Sequence, residues 1–358
     1  MTRIDPGGTI GILGGGQLGR MIALAAARLG YHCHIFCPDR QSPAFQVAQH
    51  TTIANYDDHA ALKSFAESVD VVTYEFENVP AQAAALVAET KLLRPGVKAL
   101  QMTQDRLIEK DFLAKAGVST APYKAFETRE ELDAAFKEIG RSAVAKTRRF
   151  GYDGKGQYMV KSKRDLDAVM DVTKGTPSIL EGFINFDREI SVVVARSASG
   201  DVAAFPVGEN KHTNHILDTT IVPALIKQVV EAKAKVLATR IANALEYVGV
   251  MAVEMFVNDS KNDITVNEIA PRVHNSGHWT IEGAATSQFE QHVRAICDLP
   301  LGPTDASGIV IMKNLLGKDI LDYEQYLSDP QAFFHHYGKS DPREGRKMGH
   351  VTWVKPDQ

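Results

Sequence analysis

Cysteine is scarce in this chain: three among 358 residues, too few for a disulfide framework. Cys33 and Cys37 stand in a run that reads as a strand, and Cys297 is far away. The segment His32-Cys33-His34-Ile35-Phe36-Cys37 invites a metal reading. Strand alternation, however, sends His32, His34 and Phe36 one way and Cys33, Ile35 and Cys37 the other. A buried strand fits better than the usual ligand spacings, and reduced thiols suit the cytoplasm. Long apolar runs are also missing. The longest, Met21 to Ala27, falls far short of the roughly 20 residues that span a bilayer. Met1 to Gly8 lacks the apolar core and cleavage pattern of an export signal, so a soluble, unexported protein is expected. Nor is there an excess of either charge: 40 Lys and Arg oppose 44 Asp and Glu, for a net −4 and a pI near 6.3. No Lys/Arg run stands out, so nothing draws the chain to nucleic acid or an anionic membrane. Internal repeats and low-complexity tracts are absent.

What is present is ordinary globular composition, 44% apolar and 23% charged, at a length suited to two or three domains. Up to about residue 100, short β-branched runs alternate with helical ones: strands at 9–13, 31–37 and 69–74, helices at 17–29 and 80–89. That is the signature of a parallel sheet with helices on its faces. Near Thr103 the character changes. A charged amphipathic helix at 105–116 ends at Gly117, and strand, helix and strand follow at 123–126, 129–139 and 143–146. Beyond the glycine-rich stretch 151–157 the strands 178–182, 188–196 and 202–205 look antiparallel. Next come a long helix at 225–247, strands at 250–257 and 264–269 around a turn, a helix at 287–297, and a short tail. The chain thus reads as α/β followed by α+β, with domains at 1–103, 104–300 and 301–358.

Four constellations carry chemistry. Gly14-Gly15-Gly16-Gln17-Leu18-Gly19 fits G-x-G-x-x-G between a strand and a helix, a bare turn whose N–H groups and helix N-terminus favour an anion. Asp39 stands where a dinucleotide's ribose-binding acid would, and a tight turn serving packing alone is the alternative. Lys146 ends a strand and precedes Arg148-Arg149-Phe150 and Gly151-Tyr152-Asp153-Gly154-Lys155-Gly156-Gln157. A lysine beside a loop rich in backbone donors suits nucleotide phosphates, although no P-loop is present. Glu254 and Glu268 lie on neighbouring strands, where two carboxylates repel unless a cation such as Mg²⁺ sits between them. Regular alternation puts Asn267 and Glu268 on opposite faces, so one must lie at a bend if both reach a site. Finally, Ala270-Pro271-Arg272-Val273-His274-Asn275-Ser276-Gly277-His278-Trp279 gathers donors able to clamp an anion. There His274 is either an acid–base group or a donor.

Together these residues resemble the ATP-grasp superfamily, and within it the bacterial 5-(carboxyamino)imidazole ribonucleotide synthases. GGGQLGRM at 14–21, Lys146, GYDGKGQ at 151–157, NEIAPRVHNSGHWT at 267–280, SQFEQHVRAICDLPLG at 287–302 and GRKMGH at 345–350 carry the likeness. The resemblance implies ATP and Mg²⁺ as cofactors, and bicarbonate and 5-aminoimidazole ribonucleotide as substrates. Carboxyphosphate, or CO₂ released from it, would react with the exocyclic amine, giving the N-carboxylated ribonucleotide, ADP and phosphate. By the same resemblance, Arg106, Lys146 and Gly151 to Gln157 hold nucleotide phosphates. Glu181, Gly182, Phe183 and Ile184 face adenine, Glu189 the ribose, and His212 and Asn267 complete the nucleotide site. Glu254 and Glu268 are the implied metal ligands, with Glu268 also in the nucleotide site. Tyr152, Asp153, Arg272 and His274 are the implied catalytic set. Gly16, Gln17, Leu18, Glu75, Asn275, Ser276, Arg346 and Lys347 would bind the ribonucleotide, the glycine turn taking its phosphate. Many ATP-grasp enzymes read Glu-x-Asn on the second metal strand; here Asn267 precedes Glu268 and Ala270 follows. A homodimer is implied, as is a separate mutase that takes the product, since no mutase domain follows Gln358.

Three other readings stand beside this one. A nicotinamide-dependent oxidoreductase accounts for the first hundred residues but gives the 151–157 loop and the glutamate pair no task. A neighbouring ATP-grasp ligase would keep the nucleotide and metal sites and use another acceptor. A nucleotide-sensing module would need neither paired carboxylates nor Arg272 and His274.

Overall fold

The computed structural model describes residues 2–140, 142–151 and 156–355. Among these, the first sheet comprises β1 (Thr9–Leu13), β2 (His32–Phe36), β3 (His50–Thr52) and β4 (Val71–Tyr74), in the order β3-β2-β1-β4 with all neighbours parallel. Parallel neighbours need crossovers, which the helices Gln17–Arg28 and His59–Glu67 supply. Strands covered on both faces read as continuous apolar runs rather than alternating ones, and Ile10, Ile12 and Leu13 are accordingly all buried. Cys33 and Cys37 are buried free thiols, and His34 turns to the hydroxyls of Ser68 and Thr52 at 2.9 and 2.8 Å. The buried-strand reading of this segment holds.

The second sheet orders β5 (Tyr123–Phe126), β6 (Ala143–Thr147), β7 (Gln157–Val160) and β8 (Ser178–Gly182) as β5-β8-β6-β7, antiparallel throughout. Helices Arg129–Ile139 and Asp165–Thr173 cover it. A reciprocal capping box starts the first of them: Thr128 accepts from the Glu131 N–H while Glu131 reaches back to the Thr128 N–H.

The third sheet holds β9 (Arg188–Arg196), β10 (Val202–Ala204), β11 (Gly208–Thr213), β12 (Ile216–Val222), β13 (Gly249–Asn258), β14 (Asp263–Ala270), β15 (Ile309–Leu316), β16 (Ala332–His336) and β17 (Lys347–Lys355). Its order is β14-β13-β9-β11-β12-β15-β17-β16, with β10 on β9. The tail therefore makes no sheet of its own: β15 pairs β12, and the last strands continue the same antiparallel surface.

One core joins the first sheet to the third. Ile22 and Ala26 of helix Gln17–Arg28 share an apolar cluster with Trp279, Phe289, Val293 and Ile296. Each such large side chain contributes about 1.5–3 kcal/mol by leaving water. Polar contacts fix the register: the Arg94 guanidinium donates to the Ile296 carbonyl at 2.7 Å, and Thr73 meets His292 at 2.8 Å. The glycine turn is thereby held at a set place against the third sheet.

Candidate active site

The three sheets enclose a cavity of about 840 Å³. On one wall, alternation along β6 brings Val144 and Lys146 to the cavity together. Lys146 Nζ lies 3.0 Å from Glu181 Oε2 on β8, and Lys110 Nζ approaches the same oxygen at 3.4 Å. Burial raises the Glu181 pKa, but Lys146 and Lys110 outweigh it and hold the carboxyl below its ordinary value. The other Glu181 oxygen is buried without a partner among the described residues. Gly182, Phe183 and Ile184 continue this wall, and Glu189 of β9 and His212 of β11 face it. His212 Nδ1 stands 2.7 Å from Glu189; burial opposes the imidazolium, and Glu189 and Glu254 raise its pKa nonetheless.

The second wall is the β13–β14 hairpin. Glu254 and Glu268 are direct partners across it. A bulge follows, because Met255 next pairs with Val266, so Asn267 is an extra residue on β14. The bulge breaks the alternation, and Asn267 and Glu268 both line the cavity. Arg106 Nη1 meets Glu268 at 2.9 Å; burial works against the guanidinium, yet Glu268 and Glu109 raise its pKa. Glu254 is pushed up to about 7 by burial and by Glu268. His274 Nε2 lies 3.2 Å from Glu254, and its Nδ1 accepts from the Ser276 N–H. A neutral ring must then carry its proton on Nε2. Burial, Arg272 and Lys347 hold the His274 pKa well below the ordinary value, so this histidine is a neutral ring with its Nε2 proton on the side of Glu254.

The third wall comes from the glycine turn, the segment after β4, and β17. Arg272 donates to both oxygens of Glu77 through Nε and Nη2, and to the Val273 carbonyl through Nη1. Three of its five N–H groups are thus used, and the outer edge of the fork is left for a ligand. The glycine turn already binds an anion, and it is the chain's own. Glu75 accepts from Gly16 N at 2.8 Å and Gly19 N at 3.1 Å, while burial raises its pKa. Gly14 makes this possible: its φ is +108°, and a Cβ there would stand 2.4 Å from Glu75 Cγ. Ser42 packs over Gly15, and the Ala44 N–H donates to the Gly15 carbonyl at 3.0 Å. The crevice that a dinucleotide would need is filled, and Asp39 serves its own turn by accepting from Gln41 N. Asn275 and Asn314 exchange two amide hydrogen bonds of 2.9 Å at the cavity floor.

The ribonucleotide synthetase preATP-grasp domain matches residues 8–104, the ATP-grasp domain 111–289, and the phosphoribosylaminoimidazole carboxylase C-terminal domain 310–358. The N5-carboxyaminoimidazole ribonucleotide synthase of Brucella melitensis is 48% identical over 99% of this chain and 98% of its own length. That of Bacillus subtilis is 43% identical over 98% and 93%. The chain belongs to the N5-carboxyaminoimidazole ribonucleotide synthase family. Among solved relatives in that family, the Staphylococcus aureus N5-carboxyaminoimidazole synthetase complexed with ADP superposes with a TM-score of 0.95. It is 38% identical, covering 100% of this chain and 95% of that one. The Aspergillus clavatus synthase with ADP and 5-aminoimidazole ribonucleotide gives 0.91 at 32% identity, covering 98% and 94%.

In this family member the cavity gathers most of the residues singled out from sequence. Gly16, Gln17, Leu18, Glu75, Arg106, Lys146, Gly151, Gln157, Glu181 to Ile184, Glu189, His212, Glu254, Asn267, Glu268, Arg272, His274, Asn275 and Lys347 all line it. Tyr152, Asp153, Gly154 and Lys155 lie outside the described residues. Among the described residues, three of those expected do not line the cavity. Ser276 is buried behind His274, where it also accepts from the Ser191 hydroxyl at 2.8 Å. Gly156 supports the second sheet by accepting from Thr147 N. Arg346 donates to the Asp341 carbonyl at 3.0 Å, beside the cavity-lining Lys347. Sequence reasoning missed Glu77, Glu109 and Lys110. Glu109 is pushed up to about 8 by burial and by Glu268. The signal for the last two was the helical spacing from Arg106, which puts residues three and four further on along one face.

Proposed function

We propose that this chain carboxylates the exocyclic amine of 5-aminoimidazole ribonucleotide, consuming ATP and bicarbonate and releasing ADP and phosphate. The observation that supports this best is the convergence on one cavity of the Lys146–Glu181 wall, the Glu254/Glu268 pair and the Arg272–Glu77 fork. Arg106 and Lys146 hold the phosphates of ATP, and the unpartnered Glu181 oxygen takes the amine of adenine, which an otherwise unsatisfied buried acceptor needs. The all-oxygen set of Glu254 and Glu268 beside Asn267 suits Mg²⁺. Bound there, the ion would draw charge from the nucleotide phosphates. Burial and the neighbouring Glu268 carboxylate raise the Glu254 pKa, a cost that a cation held by both groups would offset.

An oxygen of bicarbonate attacks the γ-phosphorus, and ADP leaves. The ribonucleotide's amine then attacks the carboxyl carbon of carboxyphosphate, or the CO₂ it releases, and phosphate departs. The outer edge of Arg272 meets bicarbonate and the intermediate, its orientation set by Glu77. Glu75, Gln17, Leu18, Asn275 and Lys347 face the ribonucleotide. With Gly16 and Gly19 committed to Glu75, its phosphate falls to Lys347 and the N-terminus of helix Gln17–Arg28. Proximity and exclusion of water from a labile intermediate are the main contributions.

The enzyme works in the cytoplasm as a homodimer and hands its product to a separate mutase; three buried free thiols suit that compartment. Among the described residues no helix is long and apolar enough to cross a membrane. Phosphate release should require Mg²⁺, ATP, bicarbonate and 5-aminoimidazole ribonucleotide together. Release at full rate without the ribonucleotide would refute the assignment of the acceptor.

A further inference from the structure

We propose that helix Arg106–Lys115 sets the metal-binding bulge, with Glu109 and Lys110 as positioning residues that touch neither metal nor substrate. This rests on the assignment of Glu254 and Glu268 as the metal pair. Three successive residues of β14 are each gripped by that helix. Lys110 Nζ donates to the Asn267 carbonyl at 3.1 Å, Arg106 donates to the Glu268 carboxylate at 2.9 Å, and Glu109 Oε1 accepts from the Ile269 N–H at 2.6 Å. Residues i, i+3 and i+4 share one helix face, so a single rigid element meets all three.

A bulge needs such a grip. Its extra residue leaves the ladder locally unpaired, and a slip of one residue would send each side chain to the other face. Here a slip would turn Glu268 out of the site. Lys110 and Glu109 supply partners to the Asn267 carbonyl and the Ile269 N–H from behind the wall: both are buried, and neither lines the cavity. Lys110 also reaches Glu181 at 3.4 Å, and Glu181 holds Lys146. The same ammonium therefore ties the metal strand to the nucleotide wall. A buried Lys and Glu are poor devices for stability alone, since apolar residues of equal volume commonly serve as well or better. Fixing a register is the better-attested use of such groups.

The helix is itself anchored at its start. Asp105 caps it by accepting from Leu107 N at 3.0 Å and Ile108 N at 3.4 Å, and it takes a bidentate pair from Arg148. Arg106 N donates to the Arg148 carbonyl at 2.9 Å. The face that grips β14 is thus fixed to the segment leaving β6.

The test uses the full chain loaded with ADP and titrated with Mn²⁺, read by electron paramagnetic resonance. Partners one shell out from a metal ligand commonly affect metal affinity by 10–100-fold. Glu109→Leu and Lys110→Met should weaken Mn²⁺ binding by about tenfold or more. Glu109→Gln keeps an acceptor for Ile269 and should stay within about twofold. Affinity for 5-aminoimidazole ribonucleotide, measured by calorimetry, should be unchanged in all three. Unaltered Mn²⁺ binding in folded Glu109→Leu and Lys110→Met overturns the proposal. So does a Glu109→Gln as damaged as Glu109→Leu, or a ribonucleotide affinity that falls in step with the metal. Glu268→Gln is the control: if it too binds Mn²⁺ normally, the metal pair is misassigned, which is a different failure. Should the two disruptive variants not fold, hydrogen exchange of the Ile269 amide in the unmodified chain decides. Protection equal to that of the β13 core is expected, and exchange at loop rates would overturn the proposal.

Discussion

Arg106 pairs with Glu268, Glu254 faces it across the hairpin, and the bulge presents it to the cavity. Glu268→Gln removes one charge with little change of shape. It should cost several kcal/mol of transition-state stabilisation, about a thousandfold in kcat/KM, with an unchanged melting curve. Near-normal phosphate release with normal Mg²⁺ dependence would refute its role. Gly16 supports a second prediction. Its φ is −73°, so a side chain meets no backbone strain there, but a Cβ would stand 2.7 and 3.0 Å from the two Glu75 oxygens. Gly16→Val should displace Glu75 and weaken 5-aminoimidazole ribonucleotide binding by about tenfold or more, while ATP affinity holds. Equal loss of both, measured by calorimetry, would count against the placement of the ribonucleotide.

At the scale of elements, helix Gln288–Ile296 joins two sheets through His292, which makes the joint sensitive to acid. His292 Nδ1 accepts from Val250 N at 3.1 Å, and its other nitrogen meets Thr73. Burial lowers its pKa from 6.5 to about 3. Between those values the unfolded chain binds a proton that the folded one refuses. The stability is therefore complete above 6.5 and declines as the pH falls toward 3. From about pH 7.5 to about pH 5.5, His292 should account for a loss of about 1.4 kcal/mol. Urea midpoints of the wild type and His292→Gln at both pH values should differ in pH dependence by that amount, and identical dependence would refute the linkage. The elements most legible in the sequence were those with strong local pattern: the parallel strands, the capped helices, and the hairpin carrying Glu254 and Glu268. Asn267 and Glu268 can both reach the cavity only through a bend in the strand, and the bulge is that bend. Less legible were short elements with weak periodicity, such as Val97–Thr103, Asp165–Thr173 and β11. The Arg272–Glu77 pair was illegible for another reason. Its partners lie 195 positions apart, and only the packing of the first sheet on the third brings them together.

At the scale of the whole molecule, the tail is part of the third sheet. β17 pairs with β15 on one side and β16 on the other, and Met348, His350 and Val351 are buried. Removing residues 345–358 should therefore unfold that end of the sheet. Lys347→Ala is the cleaner probe. It should weaken ribonucleotide binding by about tenfold, with a melting temperature within a few degrees of the parent. Unchanged affinity would remove Lys347 from the site. ATP activates bicarbonate by phosphorylating it, and the fate of the bicarbonate oxygen reports that step. With ¹⁸O-labelled bicarbonate, the bridging oxygen of carboxyphosphate leaves with the phosphate. Phosphorus NMR should thus show inorganic phosphate carrying one ¹⁸O for each ribonucleotide carboxylated. Carboxylated product accompanied by unlabelled phosphate would contradict the account.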